Sequence, residues 1–151
     1  MNKFMKLAIE EARKGIASNH GGPFGAVVVK NSKVIAKGHN HVVANNDPTC
    51  HGEIDAIRKA CKKLGTFDLS GCEVYTTGYP CPMCLSAMLW ANVEKFYYGC
   101  NIEDNESIGF RDNKFEDNLE QLGASMSESV DREECLKLFS DYTKIKDKTK
   151  Y

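Results

Sequence analysis

Neither sign of charge dominates this chain: 20 Lys and Arg face 21 Asp and Glu, a net charge of −1, with a pI near 6.4. A domain without a basic field has little with which to hold a phosphate backbone, so nucleic acid is disfavoured as a partner. Long apolar runs are missing as well, which argues against a membrane-spanning helix and a membrane partner. The start, Met1-Asn2-Lys3-Phe4, leads into an amphipathic pattern and lacks the continuous apolar core of a signal peptide. A cytoplasmic protein is the expectation. There is no internal repeat. The seven cysteines are an odd number, so a closed disulfide framework is not expected either.

What is present is enough for one domain, 1–151, since 151 residues with 42% hydrophobic content can bury a substantial core. Phe4, Leu7, Ala8, Ala12 and Ile16 recur near helical spacing over residues 3–16. The breaker cluster Gly21-Gly22-Pro23-Phe24-Gly25 precedes Ala26-Val27-Val28-Val29, a short run suited to a buried strand. Asn31-Ser32 then turns into Val34-Ile35-Ala36, a plausible hairpin. Ile54, Ile57, Cys61 and Leu64 mark a helix that Gly65 can end, 73–77 reads as a strand, 81–91 as a helix and 95–99 as another strand. Strands alternating with helices argue for a layered α/β domain. The polar stretch Asn101 to Asn118 reads as a long loop of the kind that carries substrate contacts. Helical spacing returns in Cys135, Leu136, Phe139 and Tyr142 behind the capping pair Asp131 and Glu134. The Lys-rich end, Lys144 to Tyr151, is a solvated tail or an ordered arm.

The chemistry concentrates in His51-Gly52-Glu53 and Pro80-Cys81-Pro82-Met83-Cys84. One imidazole and two thiolates suit Zn²⁺, and three protein ligands leave a tetrahedral position for water. Zinc of that kind lowers the pKa of its water to about 7. Cys81 and Cys84 sit three apart at a helix start, so both sulfurs share a face, and the free amides and dipole of that first turn favour thiolate. Glu53 is surplus to the ligand set and can move protons. Its two-residue separation from His51 does not by itself put both in one cavity, because strict helical geometry would point them apart. Taken separately the pieces are ordinary: Cys-x-x-Cys also occurs in redox dithiols and in closed structural zinc sites, and Cys50 or Cys72 could be a fourth ligand here. With two cysteines given to metal, Cys50, Cys61, Cys72, Cys100 and Cys135 read as reduced, mostly buried small hydrophobes.

The pairing of His-x-Glu with Pro-Cys-x-x-Cys is recognised as that of the zinc nucleobase deaminases. The chain resembles the cytidine-deaminase-like superfamily and within it is most similar to bacterial guanine deaminases. Beyond the zinc motifs, residues 21–27, Gly38-His39-Asn40, Asn46-Asp47-Pro48-Thr49, Ile57-Arg58-Lys59-Ala60-Cys61 and Gly109-Phe110-Arg111-Asp112 carry the likeness. It implies a three-layer α/β/α sandwich with a central mixed sheet of about five strands, zinc on His51, Cys81 and Cys84, and Glu53 as the proton-transfer residue. It further implies that Asn40 binds a base-edge carbonyl or ring nitrogen, Phe24 packs on the purine and Trp90 helps line the pocket. Asp112 would hydrogen-bond the exocyclic amine and assist proton movement, and Tyr151 would close the pocket. The C-terminal segment would be exchanged between the subunits of a homodimer. On the residues alone, Phe24 and Trp90 read equally as core, Asp112 as a loop cap and Tyr151 as a loose end.

Two departures bear on the substrate. Tyr79 stands where guanine deaminases usually have Glu, and Gly52 where Ala is more usual. His-Gly-Glu, Tyr75-Thr76-Thr77 and the Asp131 to Cys135 segment are similar to fungal-type cytosine deaminases. Tyr79 can stack or donate a hydrogen bond and so bears on which ring is bound. The expected function is hydrolytic deamination of a free nucleobase, guanine to xanthine and ammonia. The alternatives are cytosine or another amino-substituted heterocycle, then tRNA adenosine, and, outside enzymes, a closed-zinc interaction module.

Overall fold

The β-branched run Val27-Val28-Val29 lies at the centre of strand β1 (Gly25–Lys30), which is flanked on both sides in the sheet. β1 pairs antiparallel with β2 (Lys33–His39) and with β3 (Cys72–Gly78), and β3 pairs in parallel with β4 (Lys95–Cys100), giving the order β2-β1-β3-β4. The β1–β2 hairpin turns on Asn31 and Ser32, both with positive φ (48° and 60°), the backbone hand that a tight hairpin needs. This is a computed structural model describing Met1–Tyr151, and it divides into two compact units, Met1–Asp117 and Asn118–Tyr151.

In the first unit, alternation along the strands feeds two cores. Val27, Val29 and Tyr75 point to one side, against Phe4 and Ala8 of α1 (Lys3–Ala17). Ala26, Val28 and Val74 point to the other, against Ala56 and Ala60 of α3 (Gly52–Leu64) and Met88 of α4 (Pro82–Trp90). A short helix, α2 (Val42–Asn45), bridges β2 and α3. Burying each Val of β1 is worth about 1.5–3 kcal/mol relative to exposure. Helices on both faces of a mixed sheet make the expected three-layer α/β/α arrangement. Gly65, at φ 67°, ends α3 as the sequence suggests.

Two expectations are corrected in this unit. The sheet has four strands, not five. After Cys100 the chain enters a helix, because the Asn101 side chain accepts from the Asp104 amide while the Asp104 carboxylate accepts from the Asn101 amide, each at 2.9 Å. The polar stretch is accordingly no open loop: it holds α5 (Ile102–Ser107) and α6 (Asp112–Glu116).

The second unit consists of α7 (Leu119–Ser125), α8 (Arg132–Lys144) and the end segment. α8 begins where the periodicity places it, but Asp131 is left-handed (φ 51°) and its side chain caps nothing. Glu134 instead pairs with Lys137 one turn on, at 2.6 Å.

Candidate active site

The metal trio comes from two helix starts that meet beside β3. His51 is the N-cap of α3 with extended backbone (φ −71°, ψ 159°), and Cys81 is the N-cap of α4 (φ −64°, ψ 167°), with Pro82 and Cys84 inside its first turn. Pro82 fits there because its missing N–H is one the helix start would leave unpaired anyway. His51 Nδ1 lies 3.5 Å from each of the Cys81 and Cys84 sulfurs. Tetrahedral zinc with bonds of about 2.1 Å to nitrogen and 2.3 Å to sulfur would separate them by about 3.6 Å. The donor set therefore fits zinc in kind and in spacing. Neither proposed fourth thiol joins it: buried Cys50 is engaged by Asp47, Asn45 and Arg58, and buried Cys72 belongs to the sheet core. Three protein donors converge, the count of an open site.

His51 lies outside the helical geometry that begins at Gly52, and this resolves how His51 and Glu53 can face one cavity. Both line the same pocket, with Asn40, Phe24, Tyr79 and Asp112 around them. Glu53 is 5% exposed, and burial pushes its carboxyl above the ordinary range, with the charge of Cys81 adding to the effect. Thr76 Oγ1 is 3.3 Å from Glu53 Oε1 and 3.1 Å from the Gly78 carbonyl. One hydroxyl carries one proton, so when Thr76 donates to Gly78 it can accept from a protonated Glu53. Between the thiols, the Cys84 proton shared with Cys81, helped by His51, holds Cys81 down to about 4, while the same bond and burial push Cys84 up. The Cys81 hydrogen bond also raises His51, against the effect of its burial.

Asn40 is 4% exposed, and its side-chain oxygen accepts from the Val42 amide at 3.0 Å. That leaves its NH₂ as the group available to a ligand, a donor suited to a carbonyl or ring nitrogen. Phe24 meets Phe110 edge to face at 4.7 Å and 82°, and both line the pocket, forming an aromatic corner that can hold a flat ring. Asp112 opens α6, and burial first, then the charge of Cys81, raises its carboxyl. Tyr79 faces the pocket and packs edge-on against Tyr98 at 5.0 Å.

Two predicted contacts lie elsewhere in the chain. Trp90 closes α4, is 66% exposed and is not among the residues lining this pocket. Tyr151 is 81% exposed and belongs to the second unit.

Asn105 is a site residue that the sequence does not mark. It is 2% exposed, and its amide lies 3.3 Å from both Asp112 Oδ2 and the Tyr79 carbonyl, so one side chain ties together two pocket residues. Nothing marks it within a polar stretch; only the position of α5 reveals it. In the sequence, Thr76 and Phe110 stand out only as members of the segments Tyr75-Thr76-Thr77 and Gly109-Phe110-Arg111-Asp112.

The family described as the cytidine and deoxycytidylate deaminase zinc-binding region matches residues 1–100. The guanine deaminase of Bacillus subtilis (strain 168) is 48% identical over 109 residues, covering 72% of this chain and 70% of that protein. The tRNA-specific adenosine deaminase of Aquifex aeolicus (strain VF5) is 41% identical over 95 residues, covering 63% and 62%. The X-ray structure of guanine deaminase from Bacillus subtilis superposes on 100% of this chain and 99% of its own with a TM-score of 0.93 at 39% identity.

Proposed function

On the premise that this chain belongs to the zinc-binding cytidine and deoxycytidylate deaminase family, we propose that it hydrolyses the amino group of free guanine, giving xanthine and ammonia. The observation that carries this is the convergence in one pocket of an open three-donor metal set, a buried surplus carboxylate, an amide donor and a second carboxylate. Its similarity to a guanine deaminase extends over the full chain. The cofactor is zinc, held by His51 Nδ1 and the sulfurs of Cys81 and Cys84. When bound, zinc supplies a hydrolytic nucleophile at neutral pH by lowering the pKa of water to about 7.

The residues of the chain do the rest. Glu53 takes a proton from the attacking water, gives it to the ring nitrogen beside the reacting carbon, and later protonates the departing amine. Burial that raises its carboxyl helps it hold the proton between those transfers. Asn40 donates to the base edge, Asp112 accepts from the exocyclic amine and assists the proton transfers, and Phe24 with Phe110 fixes the ring plane.

Tyr79 in the pocket favours one second reading, another amino-substituted heterocycle such as cytosine. A tRNA substrate is disfavoured by the net charge of −1. A panel of free bases and nucleosides, read by ammonia release, separates these readings. We expect kcat/KM for guanine to exceed that for guanosine, adenine and cytosine by about a hundredfold or more, since mismatched buried polar groups are left unpaired. A preference for cytosine would overturn guanine while sparing the mechanism.

The working form is a cytoplasmic homodimer. α4 is apolar around its circumference: Cys84 and Met88 are buried, while Met83, Leu89 and Trp90 are exposed, a face suited to a second copy. Trp90 would act there, and the segment ending in Tyr151 would be exchanged to close the partner's pocket. The resemblance to guanine deaminases and the aromatic residue ending a Lys-rich tail support this. No helix is long and apolar enough to cross a membrane.

A further inference from the structure

The chain has four histidines; one is His51, and the other three, His20, His39 and His41, lie together outside the pocket. His20 follows α1, His39 ends β2 and His41 begins the next segment. One ring nitrogen from each lies within 4.8 Å of the other two. His20 Nδ1 is 2.9 Å from His39 Nε2, and the ring centroids of His39 and His41 are 4.1 Å apart. All three rings are half-buried.

The surrounding oxygens set the tautomers. His39 Nδ1 is 3.3 Å from Glu11 Oε2, and His41 Nδ1 is 2.7 Å from the His39 carbonyl. In His39 and His41, Nδ1 therefore donates to oxygen and Nε2 keeps its lone pair, while His20 Nδ1 donates to His39 Nε2. An imidazole whose far nitrogen donates to a carboxylate or carbonyl is the usual arrangement of a metal-ligating histidine. Glu11 is itself fixed, 7% exposed and 2.7 Å from Lys14 Nζ. A second carboxylate, Asp55 Oδ2, lies 3.8 Å from His41 Nδ1. Gly15 lets α1 lie this close, because a Cβ there would meet His39 Cδ2 at 2.7 Å.

We propose that His20, His39 and His41 form a second metal site, separate from the His51-Cys81-Cys84 centre, taking one divalent ion of the zinc, nickel or copper class through three imidazole nitrogens. Imidazole donors without sulfur or water-rich oxygen ligation suit these ions better than magnesium or calcium. Three nitrogens around tetrahedral zinc sit about 3.3 Å apart. The His20–His39 pair opens slightly as the ion replaces their shared proton, and the third ring closes in. The ion would pin the turn after α1 to the end of β2. Asn40 lies between two of the ligands in sequence, so the pinned backbone is the one that carries it.

Counting metal in the intact protein tests this, after Zn²⁺ loading and removal of loosely held ion, in three forms: wild type, His20→Gln with His41→Gln, and Cys81→Ser. We expect about two ions per wild-type chain and about one in each variant. Co²⁺ titration adds a spectroscopic signature on the wild-type chain alone, which protects the test from a variant that fails to fold. One equivalent should show sulfur-to-cobalt charge transfer, and the other visible bands without it. A wild type holding one ion, with only the sulfur signature, overturns the second site. So does a histidine variant that keeps both ions. Absence of the sulfur signature alone would count against the His51-Cys81-Cys84 centre and leave the histidine site standing.

Discussion

Glu53 has a carboxyl group almost wholly out of water and no place in the ligand set beside it. Glu53→Gln keeps the volume and the Thr76 contact but cannot accept the proton. It should retain about one zinc at the His51-Cys81-Cys84 centre while turnover falls by about 10²–10⁴. Metal analysis beside ammonia release checks this, and zinc loss with preserved activity would reverse the role given to Glu53. Asn105 acts through others. Asn105→Leu leaves the Tyr79 carbonyl and Asp112 without their buried donor, which should cost about 1–3 kcal/mol of stability. It should also lower kcat for guanine more than it raises KM, because Asp112 loses its fixed position. Thermal unfolding and steady-state kinetics on the same preparation separate the two effects, and unchanged kinetics would remove Asn105 from the site.

At the scale of elements, the site depends on how closely α3 approaches β1. A Cβ on Gly52 would meet the Phe24 carbonyl oxygen at 2.8 Å, a backbone atom that cannot swing aside. Gly52→Ala should therefore cost about 1–3 kcal/mol and lower kcat/KM. A fully active variant with unchanged Tm would show that α3 is free to shift. On α1, burial raises the Glu11 carboxyl, but hydrogen bonds from Lys14 and His39 and the charges of Lys14 and Lys37 outweigh it and hold it below 4.5. A depressed carboxylate contributes stability that is present above its unfolded pKa and lost as pH falls through its folded one. Glu11→Gln should lower Tm at pH 7 and flatten the loss of stability between roughly pH 5 and pH 3. Parallel wild-type and variant profiles in that window would remove Glu11 as the cause. Most elements were legible because their periods were clean: Val27-Val28-Val29, the 54–64 helical face and the Gly65 stop all fall where expected. The helices of 101–118 were not, because polarity masks periodicity and the Asn101–Asp104 cap uses residue types that also make loops.

At the scale of the whole molecule, α4 exposes Met83, Leu89 and Trp90 and α8 exposes Leu136, Leu138 and Phe139, and the proposed homodimer would cover such apolar surface. Light scattering should give a dimer mass. Removing Thr149 to Tyr151 should reduce kcat/KM for guanine by about tenfold or more while leaving zinc content and Tm in place, if closing a pocket is what the tail does. Normal turnover by the truncated chain would make the tail a solvated end.

The sequence by itself determined the metal and the chemistry. His51 with Glu53 and Cys81 with Cys84 are two short, fixed spacings, each at a helix start, and it is their pairing that points to zinc, while bringing the two starts together across 30 residues is left to the fold. Tertiary structure alone decided what depends on distant segments meeting. It brought Asn40, Phe24 and Asp112 to one pocket and left Trp90 outside its lining. It placed Asn105 beneath Asp112 and gathered His20, His39 and His41 around Glu11. These are contacts between residues on separate elements, set by sheet order and helix packing, and no local pattern encodes them.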